Sequence, residues 1–164
     1  MSRTIPMLHL VCGKAASGKS TLTARLGEAA GTVVVAEDDW LSALYGDQMQ
    51  SLPDYVRCAA RLRVAMRPHI IALLKAGLSV VLDFPANTVE TRQWMREIVQ
   101  SAGADHRLHY LDVSDEACWV RLQARNARGD HPFSVTREQF ARLLEHFVPP
   151  AEGEGLTIVR HTAR

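Results

Sequence analysis

Short apolar runs alternate with longer stretches in which apolar positions recur every three or four residues. The runs at 7–12, Thr32–Ala36, 78–82, 106–113 and 156–159 have the length and β-branched character of buried strands. Between them, 18–30 carries Leu22 and Leu26 four apart on one helical face, with Gly31 as its expected stop. Residues 54–76 are helical in pattern as far as Gly77, and Pro68 is expected to divide them. Asn87 and Glu90 stand at capping-box spacing ahead of a helix through about Ser101, and Ser114 before Asp115 and Glu116 opens another. Thr136 and Gln139 form a second such box, with Val135 and Phe140 at the positions of a hydrophobic staple, ahead of a helix that stops before Pro149.

Strands alternating with helices predict an α/β fold, a parallel five-stranded sheet flanked by helices on both faces. Repeats, low-complexity tracts and linkers are absent from the sequence, so residues 1–164 read as a single domain.

Composition narrows the functional classes. Of 164 residues, 47% are hydrophobic and 23% charged, which suits a globular chain, and a net charge of +1 gives no bulk attraction to nucleic acid or to an anionic membrane. No apolar run has the length that spans a bilayer. The first run holds His9 and leads straight into a glycine-rich turn, so it reads as a strand and not as a secretion signal. Cys12, Cys58 and Cys118 are scattered and odd in number, which fits a reducing, cytoplasmic setting. The histidines are dispersed; His106 and His109, three apart on a strand, face opposite ways and make no metal pair.

The chemistry concentrates in "LHLVCGKAASGKST", residues 8–21. Gly13, four residues, then Gly18-Lys19-Ser20 is the P-loop spacing, placed between an expected strand and an expected helix. Glycines let the backbone curl so that its amides point at phosphate oxygens, and the helix start adds positive potential. Gly13, Ala16, Ser17, Gly18, Lys19, Ser20 and Thr21 are therefore expected to bind nucleotide, with Lys19 on the β and γ phosphates and Ser20 on Mg²⁺.

Ligands of such sheets gather at the carboxyl ends of the strands. Glu37, Asp38 and Asp39 follow the second run, and Asp83 closes the third. An aspartate after the second strand can orient the proton of an attacking hydroxyl; Asp38 and Asp39 both fit, although Asp39 also suits a helix cap. Asp83 resembles the aspartate that holds Mg²⁺ through water, and Asn87 suits an N-cap. Arg121, Arg125 and Arg128 share one helical face before a turn at Gly129-Asp130-His131-Pro132, the pattern of a basic lid, about 121–135, closing over phosphates. Arg121 and Arg125 are expected on the nucleotide, Arg125 and Arg128 on the transferring group. Arg57 with Arg61, or Arg63 with Arg67, share faces of the long helix; an acceptor lining and a solvated surface are both open for them.

These residues resemble the small P-loop kinases of the polynucleotide kinase, zeta-toxin and chloramphenicol phosphotransferase group over nearly the whole chain. Asp38-Asp39-Trp40 is similar to the Asp-Asp-aromatic end of the second strand in polynucleotide kinases, which implies Asp38 as general base. Asp83 with Asn87, and Arg125-Asn126 with Arg128, match the group's third-strand and lid motifs. The resemblance implies ATP, with Mg²⁺, as phosphoryl donor. Leu41, Ser42 and Ala43 stand where polynucleotide kinases carry an acceptor-binding arginine. The expected activity is phosphoryl transfer to a hydroxyl of a small molecule. The alternatives are a 5′-hydroxyl nucleic-acid kinase and a nucleotide-dependent switch, the latter without the D-x-x-G and N-K-x-D marks of GTPases. Neither the acceptor nor the oligomeric state is legible.

Overall fold

The computed structural model describes residues 5–129 and 135–162. Five strands, β1 (Met7–Gly13), β2 (Thr32–Ala36), β3 (Ser79–Pro85), β4 (Asp105–Asp112) and β5 (Ile158–Thr162), pair in the order β2-β3-β1-β4-β5, every pair parallel. Helices α1 (Lys19–Gly27), α2 (Glu37–Tyr45), α3 (Leu52–Lys75), α4 (Val89–Ala102), α5 (Asp115–Arg128) and α6 (Arg137–Glu145) supply the connections. Alternate strand residues face opposite sides of the sheet. Leu8, Leu10, Val80, Leu82 and Leu108 meet α3 and α4 in the main core. On the other side lies α1, whose Gly27 sits against Val34.

Several boundaries depart from the sequence pattern for physical reasons. Pro68 does not divide the long helix: α3 runs unbroken for 24 residues. Cys58, Leu62, Met66, Ile70 and Leu74, each four apart, form one buried stripe, while Pro68 and Val64, whose carbonyl loses its partner, are exposed. Water can solvate that carbonyl, and the stripe holds the helix together. The first helix stops at Gly27, ahead of Gly31. The third strand continues to Pro85, so Asp83 lies inside it; β3 is flanked by β2 and β1, and Val11 pairs with Pro85 across an irregularity. That extension moves the next helix start one residue on. Thr88, not Asn87, is the N-cap of α4, its hydroxyl accepting from the Thr91 amide at 3.2 Å. The capping box of Thr136 and Gln139 forms as expected. Among the described residues no helix is long and apolar enough to cross a membrane, and all three cysteines are free and buried.

Sheet order also aligns three histidines from distant parts of the chain. His9 on β1, His109 on β4 and His161 on β5 form a hydrogen-bonded row, His9 Nδ1 to His109 Nε2 at 3.0 Å and His109 Nδ1 to His161 Nε2 at 3.0 Å. Burial pushes the His109 pKa down to about 4, helped by the flanking imidazoles and by Arg107. The row is therefore neutral at its centre at physiological pH.

The folded-state pKa lies below the usual 6.5, so the unfolded chain takes up this proton first and stability is lost as pH falls from 6.5 toward about 4. Replacing His109→Leu should remove about 2–3 kcal/mol of that acid sensitivity. Urea unfolding of both proteins at pH 7 and pH 4.5 checks this, with the stability gap between them narrowing in acid.

Candidate active site

β1 ends at Gly13, and residues 14–18 turn the chain into α1. Gly13 has no room for a side chain: a Cβ there would collide with Ser17 Oγ and sit 3.2 Å from Leu111 Cβ. Ala16 (φ 62°) and Gly18 (φ 102°) adopt left-handed backbone, the local geometry that builds an anion-binding concavity of amides. Lys19 opens α1 and folds back, its Nζ donating to the carbonyls of Gly13 (2.6 Å) and Lys14 (3.0 Å). Burial lowers the Lys19 pKa; the Asp83 carboxylate opposes that shift and the Arg125 guanidinium reinforces it. Ser20 is exposed on the first turn of α1.

The loop is braced from three sides. The Gly13 amide donates to Asn87 Oδ1 at 3.0 Å, and the Ala86 amide to the Val11 carbonyl at 3.3 Å. Asn87 is thus a loop brace in place of the expected cap. Lys14 pairs with Asp115 at 2.6 Å; burial works against its charge, but the Asp115 carboxylate prevails and raises its pKa. Arg121 Nη1 donates to the Ser17 carbonyl at 3.4 Å, tying α5 to the loop. Arg125, one turn on, is half-buried, and its Nε has no hydrogen-bond partner among the described residues; the same holds for Ser17 Oγ. A buried Nε without an acceptor is a donor that an anion could satisfy. Arg128 is exposed on the last turn of α5, and residues 130–134 of the expected lid lie outside the described residues. Asn126 exchanges hydrogen bonds with the Val135 carbonyl (2.9 Å) and amide (3.3 Å).

Strand register sets the carboxylates. Ala36 pairs with Asp83, which puts the first turn of α2, Glu37-Asp38-Asp39, beside the carboxyl end of β3. Ala36 is the N-cap, so Asp39 is not a cap; all three acids lie where the positive end of α2 favours them. Asp38 and Asp39 are exposed. Burial raises the Asp83 pKa, and the Asp38 charge raises it further, more than Asp39 does, against the pull of Lys19. Asp38, Asp83 and Lys19 therefore act within one field. A hydroxyl from Ser20 and a half-buried carboxylate disfavoured by a like charge make a hard-oxygen set that suits Mg²⁺, which keeps most of its waters. Among the described residues no three His, Cys, Asp or Glu side chains converge into a protein cage for a metal.

Sequence reasoning missed two features here. Glu37 is only 3% exposed and accepts a hydrogen bond from the Tyr55 hydroxyl of α3. Burial raises the pKa of both partners. Arg92, 1% exposed on α4, fans its guanidinium onto Glu154 (3.0 Å) and the carbonyls of Ala86 (2.9 Å), Val148 (2.8 Å) and Pro149 (3.4 Å). It fixes the segment that carries Asn87 against the chain leaving α6. No local pattern marks either group, because their partners are far along the chain.

Two cavities adjoin the loop. One, of about 470 Å³, reaches from Lys14, Ala15 and Lys19 past Glu37 and Tyr55 to α6. The other, of about 450 Å³, lies toward α1 and α5 and is lined by Ala16, Gly18, Thr21, Leu111, Arg121 and His161. The expected nucleotide residues Ala16, Gly18, Thr21 and Arg121 thus share one cavity, and Lys19 borders the other. Of the four arginines on the long helix, Arg63 lines the first cavity, Arg57 pairs with Asp54 (3.3 Å) and Arg67 with Glu97 (3.1 Å).

A strand, a glycine-rich phosphate loop and a helix at the centre of this parallel sheet define a P-loop NTPase fold. The AAA domain family model matches residues 8–150, and the chain belongs to that family. A candidate kinase from Chloroflexus aurantiacus is similar in structure, with a TM-score of 0.73 at 17% identity over 98% of this chain and 87% of that one. A sugar kinase from Janibacter gives 0.62 at 14% identity over 97% and 86%. The APS kinase of Mycobacterium tuberculosis, solved with AMPPNP and APS, gives 0.56 at 22% identity over 96% and 88%. At these identities the likeness shows the shared fold. No curated protein matches the chain.

Removing the Arg92 side chain takes its guanidinium from the Glu154 carboxylate and from three carbonyls, leaving Glu154 only the Ala151 amide among the described residues. Arg92→Ala should cost about 3–5 kcal/mol, read as a lower urea midpoint, and Arg92→Lys should restore only part because an ammonium cannot span the fan.

Proposed function

We propose that this chain is an ATP-dependent phosphotransferase that moves the γ-phosphoryl group to a hydroxyl of a small molecule, acting as one domain with a lid at about 121–135. The observation that carries this reading is the pair of cavities meeting at one phosphate loop. A nucleoside needs only one of them; the second offers an organic acceptor room beside Lys19 and Glu37.

In this reading Gly13, Ala16, Ser17, Gly18 and Thr21 cradle the nucleotide, with Arg121 beside it. Lys19 exchanges its bonds to the loop carbonyls for the β and γ phosphate oxygens. Asp38 takes the proton of the acceptor hydroxyl. That oxygen bonds to the γ phosphorus as the bond from phosphorus to the β–γ bridging oxygen breaks, and ADP leaves with the electron pair. Arg125, whose Nε lacks a partner, and Arg128 neutralise charge on the transferring group. Ser20, and Asp83 through water, would hold Mg²⁺; when bound, the ion neutralises charge on the β and γ oxygens. The exposure of Asp38 on the first turn of α2, where an acceptor hydroxyl can reach it, supports giving it the proton-accepting role.

Phosphate transfer from Mg-ATP to pooled alcohols, sugars and 5′-hydroxyl oligonucleotides, followed by mass spectrometry, tests the assignment. Asp38→Asn should lower transfer by about 10²–10⁴ with nucleotide affinity retained, Lys19→Ala should lose both, and Asp39→Asn should leave transfer nearly unchanged. Phosphate released only to water, at a rate indifferent to Asp38→Asn, overturns it.

A further inference from the structure

The cavity on the α6 side of the loop has a composition that restricts what it can accept. Val56 and Ala59 of α3, Pro85 at the end of β3, and Phe140, Leu144 and Phe147 from the α6 region give it carbon walls. Its cations are mostly committed: Lys14 is paired with Asp115, and Lys19 belongs to the phosphate loop. Thr88, Thr91 and His146 add a few polar groups to a lining that is mostly carbon, so a sugar would leave most of its hydroxyls unpaired, and a nucleic-acid strand would bring phosphates to a cavity where Arg63 is the arginine outside the loop. An apolar body of modest size suits the walls.

One polar device stands at the loop end of those walls. Glu37 is buried at the start of α2, next in sequence to Asp38, and lines the cavity. Its Oε1 accepts from Tyr55, which fixes the carboxylate at the edge of the cavity, and the carboxylate has further lone pairs to offer a ligand there. A carboxylate is an acceptor only, so it selects a ligand group that donates.

We propose that the acceptor is a small alcohol with an apolar body that bears a second hydrogen-bond donor, a hydroxyl or an ammonium, close to the reacting hydroxyl, and that Glu37 is the residue that selects for it. This rests on the phosphotransferase reading above. Tyr55 is a positioning residue for Glu37. The donor on Glu37 brings the neighbouring hydroxyl to the Asp38 side of the loop, so selection and proton removal come from consecutive residues of one helical turn.

The test uses the full chain with Mg-ATP and three alcohols of one skeleton: phenethyl alcohol, phenylethylene glycol and phenylglycinol, which differ only by a hydrogen, a hydroxyl or an amine beside the carbinol. Glucose and a 5′-hydroxyl oligonucleotide complete the panel. We expect the glycol or the amino alcohol to exceed phenethyl alcohol in kcat/KM by roughly ten- to a hundredfold, the worth of one hydrogen bond to a charged group. Glu37→Gln should collapse that ratio toward one, and preference between glycol and amine distinguishes the two donors. Val56→Glu, with its fold checked by melting temperature, should raise KM for every aromatic alcohol. Equal use of the three alcohols, a ratio unchanged by Glu37→Gln, or preference for glucose or the oligonucleotide overturns this inference and leaves phosphoryl transfer standing. No transfer to any acceptor, with ATP turnover unaffected by Asp38→Asn, overturns both.

Discussion

The turn over residues 14–18 has to hold inward-facing amides and the Lys19 ammonium in one small volume, and the rest of the site depends on how that repulsion is contained. The loop turns part of its positive charge on itself: Lys19 bonds the carbonyls of Gly13 and Lys14. The Gly13 amide is held by Asn87, and the Ser17 carbonyl by Arg121. These are ligand-like contacts made by the protein, and a phosphate can replace the Lys19 ones without rebuilding the loop. A preformed cradle of this kind reserves binding energy for the reaction because little ordering remains to be done.

Sheet order distributes the chemistry around that loop. β3 lies between β1 and β2, so a single strand carries the Asp83 carboxylate toward α2 and leads the chain on to Asn87 beneath the loop. Arg92 then clamps this segment to the end of α6 through buried hydrogen bonds. Two cavities result, one walled by α1 and α5, the other by α3 and α6. Their common border is the loop, which in the proposed function is where the transferred group sits.

Much of the fold was legible because its signals are local. Strand and helix periods, the Ser114 cap and the Thr136 box depend on neighbours within a few residues, and all of them form. Where the pattern misled, a nonlocal term had outweighed a local one. Pro68 is a helix breaker in isolation, yet a stripe of five buried side chains overrides it. Asn87 looks like a cap, but the extension of β3 against β1 gives the cap to Thr88 and turns Asn87 to the loop.

By itself the sequence determined the phosphate loop and the alternation that builds a parallel sheet, because both are matters of spacing along the backbone. It also placed acids at the ends of two strands and arginines on one face of α5. Only the tertiary structure decided which of these groups meet. The Glu37–Tyr55, Arg92–Glu154 and His9–His109 contacts join residues 18, 62 and 100 positions apart. Such contacts follow from strand order and burial, which arise from the packing of all elements at once, and no window of sequence contains both partners in their final register.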